Sequence, residues 1–179
     1  MTPLREQKMK RFFKIYDADL NGQVGKVDFE LPIQAAVAFL GHTPGSAEYN
    51  EMYGWSMVFW NYLRQHLNKS DADSISTEEF LGAMDDLAND RAALDEIIMG
   101  YASFTLKMWD RNGDGMMNEE EFVSVHTAYN VSPDSAREAF GHLDRNGDDQ
   151  LSHDEITQAI DEYFTSDDPN AIGNWFILD

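Results

Sequence analysis

The chain has 179 residues, of which 42% are hydrophobic, and its 33 acidic and 13 basic residues give a formal net charge of −20. This apolar content is sufficient for a core and argues against wholesale disorder, whereas the negative charge argues against nucleic acid and anionic membrane surfaces as partners. The absence of cysteine excludes disulfides and thiolate metal sites.

Targeting and membrane signals are missing from the sequence. No apolar run reaches the roughly 18 residues that a spanning helix needs, and the start "MTPLREQKMKRFF" lacks the apolar stretch of a secretory signal. We therefore expect a soluble cytoplasmic protein that contacts no membrane and no nucleic acid.

Apolar residues recur with helical spacing along the whole chain, which predicts an all-α protein. The predicted helices lie near 4–16, 26–40, 47–67, 77–88, 92–109, 119–129, 133–143 and 153–164. Ser132 and Pro133 form a typical helix start. Pro32 lies inside the second helix and predicts a kink, and "GHTPGSA" at 41–47 is the clearest linker.

A loop of twelve residues separates the two helices of each successive pair, and the four loops begin at residues 17, 68, 110 and 144. Their sequences are "DADLNGQVGKVD", "NKSDADSISTEEF", "DRNGDGMMNEEEF" and "DRNGDDQLSHDEI", of which the last three are quoted with the apolar residue that follows the loop. The repeated unit is therefore helix, loop, helix, with the second copy the most divergent.

The loop from Asp110 has the donor spacing that a hard divalent cation such as Ca²⁺ requires. Such a loop supplies side-chain oxygens from positions one, three and five, a carbonyl from seven and a carboxylate from twelve, with glycine at six and an apolar residue at eight. The predicted ligands are Asp110, Asn112, Asp114, the carbonyl of Met116 and Glu121. Gly115 and Met117 occupy positions six and eight, so the pattern is complete.

The loop from Asp144 carries the same pattern with one change. Its predicted ligands are Asp144, Asn146, Asp148, the carbonyl of Gln150 and Glu155. Asp149 stands at position six in place of glycine, and aspartate tolerates the left-handed conformation better than most residues. We expect cation binding with slightly more strain.

The loop from Asp17 is predicted to bind with fewer protein ligands. They are Asp17, Asp19, Asn21, the carbonyl of Gln23 and Asp28. Gly25 at position nine has no side-chain oxygen, so a water fills that vertex, and Asp28 is one methylene shorter than glutamate. Since fewer ligands favour six-coordination, we expect Mg²⁺ to compete most strongly here.

The loop from Asn68 retains Ile75 and Glu79 at positions eight and twelve but has lost most other ligands. Ala72 and Asp73 occupy positions five and six, and Asn68 and Ser70 replace carboxylates. We predict a structural partner loop that binds no cation. Three bound Ca²⁺ ions are thus expected, and their charges would bring the net charge from −20 to about −14.

These loops are EF-hands, and the chain resembles the sarcoplasmic calcium-binding proteins and their prokaryotic relative calerythrin. The resemblance is carried by "MKRFFKIYDADLNG", by the degenerate second loop and by the tail "SDDPNAIGNWFILD". It implies four EF-hands in two pairs, in residues 1–90 and 91–179, fused into one compact unit with the tail packed into the core. It also implies a cytosolic Ca²⁺/Mg²⁺ buffer, and we expect a monomer without an obligate protein partner.

Two other functions remain open at this point. A calcium sensor would expose a Met-rich groove, but Met52, Met57, Met84, Met99 and Met108 fall on or near apolar stripes where core packing is the commoner role. The apolar tail residues Trp175 to Leu178 would also close such a groove.

The second alternative is a binder of coelenterazine or another luciferin, as in the related photoproteins, whose inner cavity is lined by aromatic and histidine side chains. The candidate lining residues are Trp55, Trp60, Trp109, Trp175, His42, His126 and His142. An enzyme is not expected, because the sequence has no H-E-x-x-H, phosphate-loop or G-x-S-x-G motif. His153 stands outside the ligand set, and we expect it to be exposed.

Overall fold

The computed structural model describes residues 1–39 and 43–178 and contains eight α-helices in that part of the chain. Helices α1 to α8 span Pro3–Tyr16, Lys26–Phe39, Ala47–His66, Thr77–Leu87, Arg91–Trp109, Glu119–Ala128, Pro133–Leu143 and His153–Thr165. The predicted all-α fold is confirmed, with helix ends agreeing to one residue. The predicted end of the second helix at residue 40, and Gly41 and His42 of the linker, lie outside the described residues.

Polar residues immediately before the helices explain where the helices begin. Thr2 and Ser132 accept hydrogen bonds from backbone N–H groups of the first turns of α1 and α7, and a proline follows each of them. Both features satisfy or remove N–H groups that have no partner inside a helix. Helix α2 continues through Pro32. The buried hydroxyl of Ser56 donates to the carbonyl of Phe29 at 3.1 Å, on the turn that precedes the proline.

Two short antiparallel pairings join the loops. Strand β1 (Gln23–Val24) pairs with β2 (Ile75–Ser76), and β3 (Met117–Asn118) pairs with β4 (Gln150–Leu151). In register, Val24 faces Ile75 and Met117 faces Leu151. These position-eight residues are all buried, so each pairing ties two loops to the apolar interior.

Helix α1 connects the two halves of the chain through the core. The ring centroid of Phe12 lies 6.1 Å from that of Phe80 in α4, 5.5 Å from that of Tyr101 in α5 and 5.1 Å from that of Phe164 in α8. The most extensive helix–helix contact, between α3 and α5, also crosses between the halves. The buried apolar residues form one continuous cluster.

The C-terminal tail packs against α8 and α1. It contains a 3₁₀ helix, Ile172–Trp175, and then Phe176 and Ile177, each only 8% exposed. Trp175 stacks on His142 of α7 with a centroid distance of 4.2 Å. The predicted packing of the tail into the core is therefore confirmed.

A buried lysine fastens the tail to the end of α8. The ammonium group of Lys8 donates to the carbonyl oxygens of Glu162 (3.4 Å) and Ser166 (2.8 Å) and to the side-chain oxygen of Asn174 (3.1 Å). Lys8 is 2% exposed, and burial lowers its pKa to about 8. The ammonium thus provides donors to carbonyls at the C-terminal end of α8, where helix carbonyls lack partners.

Two side chains differ in exposure from the sequence predictions. Met52, Met57, Met84 and Met108 are buried, but Met99 is 49% exposed because it lies on the outer face of α5. His153 is half-buried rather than exposed, since its ring lies against α5 with Nε2 at 3.2 Å from the Ser103 hydroxyl. Within the described residues, no helix combines the length and apolarity needed to cross a bilayer.

Candidate metal-binding loops

The first aspartate of the loop at 110–121 turns its carboxylate towards the middle of the loop. Its Oδ1 accepts a hydrogen bond from the N–H of Gly113 at 2.7 Å, and its Oδ2 accepts one from Gly115 at 2.8 Å. Asp144 accepts equivalent hydrogen bonds from Gly147 (2.8 Å) and Asp149 (3.0 Å). The first side chain therefore organises the backbone that would carry the other ligands.

The loop at 17–28 begins in the same way. Asp17 is 5% exposed and accepts hydrogen bonds from the N–H groups of Asn21 (2.9 Å) and Gly22 (3.0 Å). Three of the four loops thus share one arrangement of the position-one carboxylate.

Side-chain oxygens at positions three and five accept hydrogen bonds from backbone N–H groups two residues later in each of these loops. The Oδ1 atom of Asn112 accepts from the N–H of Asp114 at 2.8 Å, and Oδ1 of Asp114 accepts from Met116 at 2.9 Å. The same turns occur at Asp19, Asn21, Asn146 and Asp148. Each loop therefore presents oxygens from alternate residues to one side.

Glutamate at position twelve crosses the loop opening. Glu121 accepts hydrogen bonds through Oε1 from the N–H groups of Arg111 (2.9 Å) and Asn112 (3.2 Å), and through Oε2 from Asn118 (3.0 Å). The last contact is half of a capping box at the start of α6, because the Asn118 side chain caps the Glu121 N–H in return. The helix cap thereby holds the carboxylate near the loop entrance.

Glu155 occupies the same position in the loop at 144–155. It accepts from the N–H groups of Arg145 (3.0 Å), Asn146 (3.4 Å) and Ser152 (2.9 Å). Burial by itself raises the pKa of Glu155, but these hydrogen bonds together with the Ser152 hydroxyl outweigh it and hold the pKa below the ordinary value. The carboxylate is thus kept ionised, as a cation ligand must be.

Asp28 does not reach across its loop in this way. Its Oδ2 accepts a hydrogen bond from the N–H of Gly25 at 2.7 Å. The position-two N–H, which donates to the glutamate in the other two loops, belongs here to Ala18 and donates to the carbonyl of Tyr16. The shorter side chain therefore stays at the helix start, in agreement with the length difference noted from the sequence.

The backbone path separates the fourth loop from the other three. Positions four and six have positive φ in the loops at 17–28, 110–121 and 144–155, at Leu20 (56°), Gly22 (77°), Gly113 (75°), Gly115 (84°), Gly147 (74°) and Asp149 (64°). In the loop at 68–79, by contrast, the residue with positive φ is Asn68 (55°), at position one. That loop consequently follows another course and cannot direct the same atoms inwards.

Cations of the protein itself engage the acids of this fourth loop. The ammonium of Lys69 lies 2.8 Å from the carboxylate of Glu79, and Asp71 pairs with Lys26 and Arg64 at 3.2 and 3.1 Å. Lys69 also helps to lower the pKa of Glu79. The one carboxylate at a ligand position of this loop, Glu79 at position twelve, is thus paired with a cation of the protein itself.

The donor chemistry and backbone of the other three loops fit a hard divalent cation. Across residues 1–39 and 43–178, no three carboxylate or imidazole groups already converge at metal-binding distance. The carboxylates instead point inwards while bonded to backbone N–H groups, which limits their mutual repulsion. Bound Ca²⁺ would replace part of these contacts with ion–oxygen bonds to the residues named above.

Leu20 is a strained position that the sequence did not reveal. It has φ of 56° and its side chain is 76% exposed, whereas the corresponding residues in the other two loops are Gly113 and Gly147. Because the left-handed conformation is unfavourable for leucine, we expect Leu20→Gly to stabilise the protein by about 1 kcal/mol. Urea denaturation at fixed Ca²⁺ would measure this. Leu20→Ala, which keeps the strained Cβ, should show little gain, and an equal gain would contradict the explanation.

A cavity of about 640 Å³ lies beside the loops at 110–121 and 144–155. Most of its walls come from α1, α5, α6 and the tail, with single residues of α2, α3 and α8, and Met117 and Leu151 of the paired strands line it. Of the tryptophan and histidine residues proposed for a luciferin site, Trp109 and His126 line this cavity. Trp60 is fully buried, Trp55 lies at the surface, and Trp175 and His142 stack on each other. His42 lies outside the described residues.

Helix–loop–helix units whose twelve-residue loops pair through short strands define an EF-hand protein. No protein-family model matches the sequence. Calerythrin from Saccharopolyspora erythraea is 28% identical over 164 residues, which cover 90% of this chain and 93% of calerythrin. The chain is thus homologous to calerythrin, and the predicted resemblance to the sarcoplasmic calcium-binding protein and calerythrin-like family is confirmed.

Solved structures agree with this assignment. A Streptomyces coelicolor calcium-binding protein, described in connection with prokaryotic calcium-mediated regulation, is 28% identical with a TM-score of 0.73, over 90% of this chain and 98% of that protein. The photoprotein clytin has a TM-score of 0.78 over 99% of this chain and 96% of its own, at 19% identity. That second similarity shows a common fold only.

Proposed function

We propose that this chain is an intracellular calcium-binding protein that buffers Ca²⁺ and Mg²⁺ through the loops at 17–28, 110–121 and 144–155. The observation that carries the proposal is the shared arrangement of side-chain oxygens at positions one, three and five in these loops, together with the glutamate that crosses the opening of the loops at 110–121 and 144–155. Calerythrin homology supports calcium as the ligand. The fourth loop, with a different backbone path and internal ion pairs, acts as the structural partner of the first.

Further properties belong to the same proposal. The halves 1–90 and 91–179 each contain a loop pair and are fused by contacts between α3 and α5 and by α1. The protein is cytoplasmic, acts as a monomer without an obligate protein partner, and catalyses no reaction. Its net charge of −20 suits a buffer, because each bound cation relieves repulsion among clustered carboxylates.

Buffering is favoured over sensing by the closed apolar interior. A sensor presents a hydrophobic groove to a target when calcium binds. Here Phe176 and Ile177 of the tail are buried, and Lys8 fastens the segment that precedes them. A target helix would first have to displace the tail.

Calorimetric titration of chelator-treated protein with Ca²⁺, with and without millimolar Mg²⁺, tests the proposal. We expect three sites whose apparent calcium affinity falls when Mg²⁺ is present. Weak cooperative sites together with calcium-induced binding of a hydrophobic dye would indicate a sensor instead. Failure to take up stoichiometric calcium would remove the proposed function altogether.

The luciferin-binding alternative receives less support from the geometry. Its candidate residues are dispersed, with Trp109 and His126 in the cavity and the others of the described set elsewhere. Titration with coelenterazine and inspection for a new absorption band would decide the question.

Asp28→Glu should change the ion preference of the first loop. The longer side chain can reach the N–H groups at the loop start, as Glu121 and Glu155 do, and can bind an ion through both oxygens. We expect the Ca²⁺/Mg²⁺ selectivity of this loop to rise about tenfold, measured by calorimetry in competition. Glu155→Asp is the reciprocal control and should lower the selectivity of its own loop. Unchanged selectivity in Asp28→Glu would refute the role of side-chain length.

A further inference from the structure

The cavity beside the C-terminal loop pair has mainly apolar walls. They include Phe104 and Met108 of α5, Phe122 of α6, Ile156 of α8 and Phe176 of the tail. A volume of about 640 Å³ falls in the range typical of small-molecule sites, roughly 300–1,000 Å³. The tail therefore covers the interior without filling it.

The charge of the cavity lining is opposite to that of the protein as a whole. The chain has 33 acidic residues, yet none is among the residues that line the cavity in the described part of the chain, while Arg11 and Lys14 are. These two cations lie three residues apart on one face of α1. If the acidic residues were distributed without regard to this cavity, some of them would be expected among its lining residues.

Three further ionisable side chains of the lining are neutral. Burial raises the pKa of Tyr101 and also that of Tyr129. Burial lowers the pKa of His126, so the imidazole is uncharged near neutral pH. Among the lining residues that the structure describes, the formal charge is carried by Arg11 and Lys14 of α1.

Lys14 and Arg11 also mark where the cavity reaches the surface. The guanidinium of Arg11 donates to the carbonyl of Ile177 at 3.1 Å and so ties α1 to the tail. Lys14 is exposed, and across the described residues its ammonium makes no ion pair. An ammonium in this position can meet a ligand that enters with its apolar part inside the cavity and its head group outside.

We propose that this cavity binds one anionic single-chain amphiphile of the fatty-acid class, with its carboxylate at Lys14 and its alkyl chain between α5, α6 and the tail. This is a binding site separate from the proposed calcium loops and goes beyond the proposed buffering function. The apolar walls supply the affinity, and the ammonium of Lys14 selects the sign of the head group. An anion is otherwise repelled by a protein of this net charge.

Dodecanoate is a suitable probe, used with protein that carries stoichiometric Ca²⁺ and no excess, so that calcium soaps do not form. Fluorescence of Trp109, which lines the cavity, and calorimetry would report binding. We expect one dodecanoate per chain, with dodecanol and dodecylammonium each bound at least about fivefold more weakly, since neither can form a charge-assisted hydrogen bond as an anion with the ammonium of Lys14.

Two variants connect the binding to the cavity. Lys14→Gln should weaken dodecanoate about fivefold and leave dodecanol unchanged, while Lys10→Gln is the control, because Lys10 lies on the same helix, pairs with Glu6 and does not line the cavity. Val125→Phe, which places a ring into the cavity, should weaken both ligands. Calcium titration of each variant verifies that it is folded.

The proposal is overturned if dodecanoate does not bind at concentrations below its micelle formation, or if dodecylammonium binds equally well. It is also overturned if Lys14→Gln behaves like Lys10→Gln. Any of these results with an intact calcium titration would leave the buffering function standing, so the two proposals fail separately.

Discussion

Glu121→Gln and Glu155→Gln should each abolish stoichiometric calcium uptake at one loop. Each of these carboxylates is nearly buried, at 5% and 8% exposure, and is held across its loop by N–H groups at the loop start. The amide keeps the shape of the side chain but removes a ligand charge and one of the two oxygen acceptors. We expect the affinity of the altered loop to fall at least about 100-fold, more than is typical for changes outside the ligand set, so that calorimetry counts two tight sites instead of three.

Glu79→Gln provides a matched control at the same position of the loop at 68–79. Glu79 forms a capping box with Ser76 as Glu121 does with Asn118, so helix capping is altered alike in both variants. Its partner is Lys69 rather than a proposed metal, and the number of tight sites should remain three. A lost site in Glu79→Gln would show that the fourth loop binds a cation, and three tight sites in Glu121→Gln would refute the ligand assignment.

Gly173→Ala should release the C-terminal tail. A Cβ atom at this position would lie 2.5 Å from the carbonyl oxygen of Ala159 and from Cβ of Glu162, and 2.8 Å from the backbone nitrogen of Tyr163. Backbone atoms of α8 cannot retreat, so the tail has to move and the hydrogen bond from the Gly173 N–H to Glu162 at 2.8 Å is lost. We expect a loss of stability of about 2 kcal/mol and increased fluorescence of a hydrophobic dye as the cavity opens.

Gly82→Ala is the control for replacing a helical glycine with alanine. Gly82 lies in α4, and an added Cβ there meets no atom within 4 Å. This variant should be stabilised by about 0.5–1 kcal/mol, because alanine loses less backbone entropy in a helix, and dye binding should not change. If Gly173→Ala matched this behaviour, or bound no more dye than the unaltered chain, the tail would not be the cover of the interior.

Tail release also distinguishes the two roles that an EF-hand protein can have. If calcium-loaded Gly173→Ala exposes apolar surface while the unaltered protein does not, the closed state is due to the tail and the chain is restrained from acting as a sensor. The proposed calcium sites lie in loops that the tail residues do not contribute to. Their stoichiometry should therefore remain that of the unaltered protein.

Local spacing was sufficient to predict the helices, and it also selects the candidate ligands, whose role stays a prediction. The loop at 110–121 contains all of its own determinants within twelve residues. They are the predicted ligands, the glycine at position six, the helix cap at Asn118 and the carboxylate of Glu121. The hydrogen bonds that organise them join residues two to ten positions apart. Interactions of such short range depend on the local order of residues, and the structure contains them.

Only the tertiary structure decided how the tail closes the interior, which side chains are covered and what space remains. Lys8 has no local feature that sets it apart from the other lysines of α1, and its burial follows from the arrival of α8 and Asn174 from the far end of the chain. His153 is covered by Ser103 of α5, and the cavity is bounded by α1, α5, α6 and the tail at once. These properties depend on the shapes of surfaces brought together across the whole sequence, and periodicity along one segment carries no information about them.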